Sequence, residues 1–188
     1  MSTLFVPTRR GAGAIAELSQ VAWATHAHAY TGAGYDFRKY TVPGDDVAAI
    51  LRALWSDDSE LRLEAHQAVI STLWHQGTVY EATAHAVPFL AAFVAEPSMP
   101  GRGRALASLV LIAASAMRGD DVSARQVIGA FHVAEAWLRE AARAGPPLAQ
   151  RAVDAVLGMA AGDVAALDAS DDIAGDLEEW GDDSDPPG

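Results

Sequence analysis

Apolar residues recur along most of this chain three or four positions apart, which is the spacing of one face of an α-helix. Val47, Ile50, Leu51 and Leu54 are a clear example, and they would form one buried stripe. Gly, Pro and Asp residues interrupt the pattern at intervals. We therefore expect an all-α chain without a sheet, with helices near residues 14–28, 46–55, 60–75, 81–95, 104–117, 122–144 and 147–161.

A similar apolar pattern occurs three times, and this repetition predicts how the helices are arranged. RALASLVLIAA at residues 104–114 aligns with RAVDAVLGMAA at residues 151–161, and EAHQAVISTL at residues 64–73 fits the same frame. Paired helices with a period of about 40–47 residues are typical of HEAT or armadillo solenoids. We expect about three helical hairpins and an N-terminal helix. The equivalent positions are Ala65, Ala105 and Ala152, then Val69, Leu109 and Val156.

One short segment also resembles a known family. WHQGTVYEATAHAVPFL, at residues 74–90, resembles a motif of bacterial HEAT-repeat-containing proteins, in which Trp-x-Gln-Gly-x-x-Tyr-x-Ala-Thr precedes Ala-x-Pro-Phe-Leu. The resemblance implies a helical-repeat fold over about residues 45–161. It implies a scaffold and no settled activity. The matching positions are Trp74, Gln76, Gly77, Tyr80, Ala82, Thr83, Pro88, Phe89 and Leu90.

Negative charge is concentrated at the C-terminal end. The formal charge of the 188 residues is −12, and residues 168–188 hold nine acidic residues and neither Lys nor Arg. Such a composition favours disorder, so we expect a repeat domain at residues 1–167 and a flexible acidic tail at residues 168–188. Ile173, Leu177 and Trp180 are spaced for one or two amphipathic turns on contact with another surface. Phosphate binding needs clustered Arg and Lys, so we do not expect nucleic-acid binding.

The remaining composition narrows the classes of protein further. The chain has no Cys, which excludes disulfides, thiolate metal sites and a Cys nucleophile. The first ten residues, MSTLFVPTRR, do not resemble a signal peptide. The apolar stretch at residues 105–117 is shorter than the roughly 20 residues that cross a bilayer. We therefore expect a cytoplasmic protein without a membrane partner.

Polar and aromatic residues cluster at the turn that follows the second predicted helix. Trp74, Gln76, Tyr80 and Thr83 form either a protein-binding patch or a buried joint between repeats. We favour the joint, because chain ends between helices leave backbone groups that need polar partners. The binding interpretation stays open for these four residues. It also stays open for four residues of the tail, namely Asp176, Glu178, Glu179 and Trp180.

Other patterns that would indicate chemistry are weak. Glu81 and His85 are four residues apart on one helix, but they supply only two ligands, so we expect no metal. We expect His66, His75, His85 and His132 to be surface or partly buried groups. Residues 11–16, GAGAIA, fit the loose G-x-G-x-x-A pattern but lack the flanking strands of a dinucleotide site, so we expect no cofactor.

These patterns lead to a functional expectation and two alternatives. We expect a non-catalytic protein-binding scaffold with a basic partner, for example an immunity or antidote protein that masks a basic toxin. One alternative is a regulatory adaptor within a larger assembly. The other is a helical-repeat enzyme that acts on damaged DNA, which the four tryptophans of the body suggest and the missing basic groove disfavours.

Overall fold

The computed structural model describes residues 4–29 and 46–180, apart from the side chains of residues 46 and 178–180. Most of these residues are helical, in agreement with the predicted all-α class. The helices are α1 (Ala12–Glu17), α2 (Asp46–Ala53), α3 (Ser59–Leu73), α4 (Glu81–Val94), α5 (Arg102–Arg118), α6 (Val122–Ala144), α7 (Pro147–Ala160), α8 (Val164–Asp168) and α9 (Ser170–Trp180).

Local chemistry explains why several helices begin where the sequence predicts. The Asp58 carboxylate accepts hydrogen bonds from the backbone N–H groups of Glu60 and Leu61 at the start of α3. Asp121 caps α6 in the same way, with a 2.7 Å bond from Ala124. Pro147 occupies the first turn of α7, where its missing N–H costs nothing. The sequence also offers Asp45 or Asp46 as the cap of α2, but Asp45 and the side chain of Asp46 lie outside the described residues.

The N-terminal segment differs from the single helix predicted at residues 14–28. Helix α1 ends at Glu17, and two 3₁₀ turns follow, Leu18–Gln20 and Trp23–Thr25. Side chains hold these turns, because the Trp23 indole donates to the Leu18 carbonyl at 2.8 Å and the Thr25 hydroxyl donates to the Ala22 carbonyl at 2.8 Å. Such local bonds compete with the helical ladder, so apolar spacing alone overestimates the length of this helix.

A small β-hairpin joins α3 to α4, so the expectation of no sheet is wrong at this point. Strand β1 (Trp74–His75) pairs antiparallel with β2 (Thr78–Val79). Gln76 and Gly77 form the turn with φ of 51° and 81°, the positive values that a two-residue hairpin turn needs. The sequence pattern also favours Gly77 as the residue at which the helix predicted near residues 60–75 stops, but α3 ends at Leu73 and Gly77 lies in this turn instead. The hairpin turns the chain from one helix into the next within seven residues, 74–80.

The helices contact both their neighbour in sequence and the helix after that. Helices α2, α4 and α6 pack in succession, and so do α3, α5 and α7, while each helix from α2 to α6 also packs against the next. The positions that the repeat treats as equivalent on α3, α5 and α7 are all fully buried. They are Ala65, Ala105, Ala152, Val69, Leu109 and Val156.

The N-terminal segment covers one side of the central helices. Every residue from 82 to 95 is buried, so α4 has no exposed face. Phe5 stacks on Phe89 of α4 at 6.1 Å, and the Trp137 indole of α6 donates to the Pro7 carbonyl at 3.0 Å. These contacts close the core on the side of α4 and α6. No helix in the described part of the chain is long and apolar enough to cross a membrane.

Helix α9 covers the opposite side of the core. It packs on α5 and α7 and buries Ile173, Ala174 and Leu177. The flexible tail expected from residue 168 therefore does not hold for this helix, because its apolar residues recur on one face and dock on the core. Residues 181–188 lie outside the described part of the chain.

Candidate functional site: the acidic face of helix α9

Helix α9 has two chemically different sides. Ile173 and Leu177, four residues apart, face α5 and α7, and Leu177 is fully buried. Asp171, Asp172 and Asp176 are exposed on the other side. Burial of the apolar side fixes the backbone, so these carboxylates are presented from a rigid element. We call these three residues the acidic face of α9.

The sequence around the acidic face adds negative charge and no positive charge. Arg151 is the last basic residue of the chain, and residues 152–188 contain neither Lys nor Arg. Asp163, before α8, uses its carboxylate to cap that helix by accepting from the Ala165 N–H at 2.9 Å. Asp168, at the end of α8, is exposed. Uncompensated carboxylates of one sign create a field that attracts cations and basic surfaces.

The sequence predicted part of this face. Asp176 was predicted and is exposed, whereas Asp171 and Asp172 were not singled out. Asp172 lies four residues before Asp176, as Ile173 does before Leu177, so a helical reading of the tail would have found them. Glu178, Glu179 and Trp180 belong to α9, but their side chains lie outside the described residues.

The other predicted cluster lies at the β-hairpin. The Trp74 indole donates to the Ser115 hydroxyl of α5 at 2.5 Å, and Trp74 is half-buried. The Thr83 hydroxyl donates to the Leu73 carbonyl at 2.5 Å and accepts from the Tyr80 N–H at 2.9 Å. These bonds connect the end of α3, the start of α4 and the last turn of α5.

The members of this cluster differ in their access to solvent. Thr83 is fully buried and therefore has no surface with which to contact a partner. Tyr80 is half-buried at the start of α4, and Gln76 is exposed at the tip of the hairpin. The structure brings Trp74, Tyr80 and Thr83 together at one joint, and Gln76 is exposed in the hairpin turn. Protein binding by this joint stays a prediction.

Two histidines that are distant in sequence stack inside the core. The rings of His26 and His85 lie 3.8 Å apart, and the His26 Nδ1 atom is 3.2 Å from Glu81 Oε1. Their in-plane lone pairs do not converge, because the rings are nearly parallel. Within the described residues, no three His, Asp or Glu side chains are grouped as a metal site would need.

Burial controls the protonation of His85. Burial, and then the charge of His26, lower its pKa to about 4, although Glu81 acts in the opposite direction. His66 on α3 is buried as well. The expectation that these two histidines are surface or partly buried groups is therefore wrong, because contacts distant in sequence enclose them.

Comparisons with known proteins found no match for the chain. No protein family, no curated protein and no solved structure matches it. The resemblance to HEAT-repeat proteins therefore depends on the motif at residues 74–90 and on the repeated apolar pattern alone.

Proposed function

We propose that this protein is a non-catalytic helical-repeat scaffold that binds another protein with a basic surface through the acidic face of α9. The observation that carries the proposal is the division of α9 into a buried apolar side and an exposed side with Asp171, Asp172 and Asp176. A helix that is docked in this way holds its charges at fixed positions before a partner arrives.

We propose further that the repeats form a short solenoid of HEAT type. Contacts between each helix and the next but one, and the complete burial of the equivalent alanines, support this arrangement. In such a solenoid the second helices of the repeats form the usual binding surface. Here α9 covers part of that surface on α5 and α7, so the outward side of α9 replaces it.

The electrostatic argument favours a basic partner. Fixed carboxylates attract a basic surface before contact and raise the association rate, and like charges repel acidic proteins. A rigid helix also loses less conformational freedom on binding than a disordered tail does. An immunity protein that masks a basic toxin is one concrete form of this function, because a small acidic protein suits the masking of a basic surface.

The proposal predicts which substitutions abolish binding. We suggest affinity capture from the native cell with three baits, followed by quantitative mass spectrometry. The first bait is the wild type, and the second carries Asp171→Asn, Asp172→Asn and Asp176→Asn. The matched control carries Asp57→Asn, Glu60→Gln and Asp120→Asn, which remove the same charge from exposed positions elsewhere.

The expected result is a basic protein that the wild type and the control capture and the α9 variant does not. Loss of the same protein from both variants would show that only net charge matters. Equal capture by all three baits would contradict the acidic face as the binding site. Circular dichroism of each bait confirms that the substitutions leave the fold intact.

A further inference from the structure

A pair of stacked histidine rings holds one segment of the chain against the start of α4. This segment comprises residues 23–29, and we call it the strap segment. Its Ala27 carbonyl accepts a hydrogen bond from the Ala82 N–H group of α4 at 2.9 Å. Its Ala29 N–H group donates to the Thr72 carbonyl of α3 at 3.1 Å. The strap segment is therefore attached by two backbone bonds in addition to the stacked rings.

Both stacked rings are buried, and both can accept a proton. His26 of the strap segment is 8% exposed, and His85 of α4 is 4% exposed. The ring centres lie 3.8 Å apart, and the ring planes differ by 21°. Two positive charges at this distance repel each other strongly when water is excluded. The closed contact can therefore hold one proton on the pair, whereas a second proton is costly.

The neighbouring carboxylate favours His26 as the ring that holds the first proton. Glu81 Oε1 is 3.2 Å from His26 Nδ1, so a proton on His26 has a negative partner. The Nδ1 atom of His85 is buried and has no hydrogen-bond partner among the described residues. Burial, and then the charge of His26, lower the pKa of His85 to about 4, and Glu81 acts in the opposite direction. Trp23, which also contacts the His85 ring, carries no charge.

We propose that the strap segment is an acid-released cover of α4, which opens when His85 takes up a proton. A proton on His85 lies against the His26 ring in the closed form and against water in the open form, so it stabilises the open form. Opening separates the two rings and breaks the two backbone bonds, while the helices stay folded. It uncovers the start of α4, whose residues 82–95 are all buried in the closed form.

The size of the effect follows from the linkage between proton binding and opening. In the open form the pKa of His85 returns to its ordinary value of about 6.5, whereas the closed form excludes the proton down to about pH 4. The ratio of open to closed molecules should therefore rise about thirtyfold between pH 7.5 and pH 5. Above pH 7.5 the ratio should stay constant, because the ring is then neutral in both forms.

Amide hydrogen exchange measured by NMR reports this opening at single residues. The Ala82 and Ala29 N–H groups bond across the contact. Their protection factors, corrected for the intrinsic pH dependence of exchange, should fall about thirtyfold between pH 7.5 and pH 5. Ile112 is fully buried in α5 and reports global unfolding, so its protection should exceed that of Ala82 at least about tenfold at both pH values. Constant protection at Ala82 and Ala29, or equal protection at Ala82 and Ile112, would overturn the proposal.

One variant and one matched control assign the effect to His85. His85→Phe keeps a ring on His26 and removes the group that takes up the proton, so the protection of Ala82 should change less than about threefold over the same range. His66→Leu removes the other buried histidine, whose ring contacts Phe93 instead, and the change of about thirtyfold at Ala82 should remain. A change that persists in His85→Phe, or that disappears in His66→Leu, would show that another group drives the opening.

The ring resonances of the wild type give a second test that needs no substitution. The His85 ring signals should titrate below about pH 5, because the closed form excludes the proton. A midpoint near the ordinary value of about 6.5, with full protection at Ala82, would show that the ring accepts its proton in the closed contact. That result would overturn the proposal. None of these measurements involves the acidic face of α9.

Discussion

Two alanines that align in the sequence pattern lie in the core on α5 and α7. Ala105 and Ala152 are fully buried on α5 and α7, and the two helices pack directly against each other. Replacement of either alanine by Leu should overpack the joint and lower the free energy of unfolding by about 1–3 kcal/mol. Ala136→Leu on the exposed side of α6 is the control, and urea unfolding is the measurement. Equal stability of all three variants would show that the repeat register is wrong.

The buried histidines should make stability depend on pH. His66 and His85 each have a pKa near 4 when folded and about 6.5 when unfolded, so the unfolded chain binds protons that the folded protein excludes. The stability is fully present above pH 6.5 and falls between pH 6.5 and 4. The slope should be about 1.4 kcal/mol per pH unit for each ring. The groups that lie beside the His85 ring are His26, Glu81 and Trp23.

A substitution separates this effect from general acid unfolding. His66→Leu should remove about half of the slope measured by urea unfolding between pH 6.5 and 5, and His132→Gln at an exposed position should not change it. A free energy of unfolding that stays constant over this range would mean that both rings accept protons in the folded protein.

Single residues show what sequence reasoning can and cannot predict. The cap Asp58 and the first-turn proline Pro147 were predictable because the effect of each is local. The burial of His66 was not, because its surroundings include Phe93 and Gly101 from distant parts of the chain. The sequence shows Asp172 and Asp176 as negative charges. Their exposure on one side of a docked helix was not predictable, because it depends on where Ile173 and Leu177 pack.

At the scale of elements, the hairpin is a local conformation that the pattern of apolar residues does not predict. Gln76 has φ of 51°, a value for which Asn and Gly are better suited. Gln76→Asn should therefore stabilise the fold by a few tenths of a kcal/mol, measured by urea unfolding. Gln76→Val should destabilise it, because a β-branched residue tolerates positive φ poorly. The opposite order would show that the turn differs from the one described.

Trp74 connects this hairpin to the core. Its indole donates to Ser115 of α5, but the ring is only half-buried. We expect Trp74→Ala to cost about 2 kcal/mol, below the roughly 3–5 kcal/mol of a fully buried Trp, with unfolding again as the measurement. A variant that keeps its stability and loses a captured partner would favour the binding interpretation of Trp74 instead.

For helix α9, the amino-acid composition and the packing in the structure lead to opposite conclusions about whether the segment is ordered. Its acidic composition predicts disorder, whereas Ile173, Ala174 and Leu177 bury against α5 and α7. Leu177→Ala should cost about 2–5 kcal/mol, and Asp176→Asn should change stability by less than about 0.5 kcal/mol. Thermal unfolding distinguishes the two. If the Leu177→Ala variant had the same melting temperature as the wild type, the result would support a flexible tail instead of a docked helix.

At the scale of the whole molecule, the two ends of the described chain cover a helical core, and the apolar pattern of the sequence predicted the helices of this core. The periodicity identified α2 to α7 because apolar residues recur at helical spacing in each of them, although α4 is buried on every side. The way in which the terminal segments cover this core was harder to predict. The contacts of Phe5 with Phe89 and of Trp137 with Pro7 join positions more than 80 residues apart. No local pattern determines which surface such segments cover.

The central claim is that α9 is docked by its apolar side and attracts a basic partner with its outward side. The most direct test is the association rate of the captured partner over a series of ionic strengths. The wild type and the control variant at residues 57, 60 and 120 should associate fast at low salt and slow steeply as salt screens the charges. The variant at residues 171, 172 and 176 should associate slowly with little salt dependence. Equal rates for all three proteins, or a wild-type rate that does not change with salt, would contradict the account.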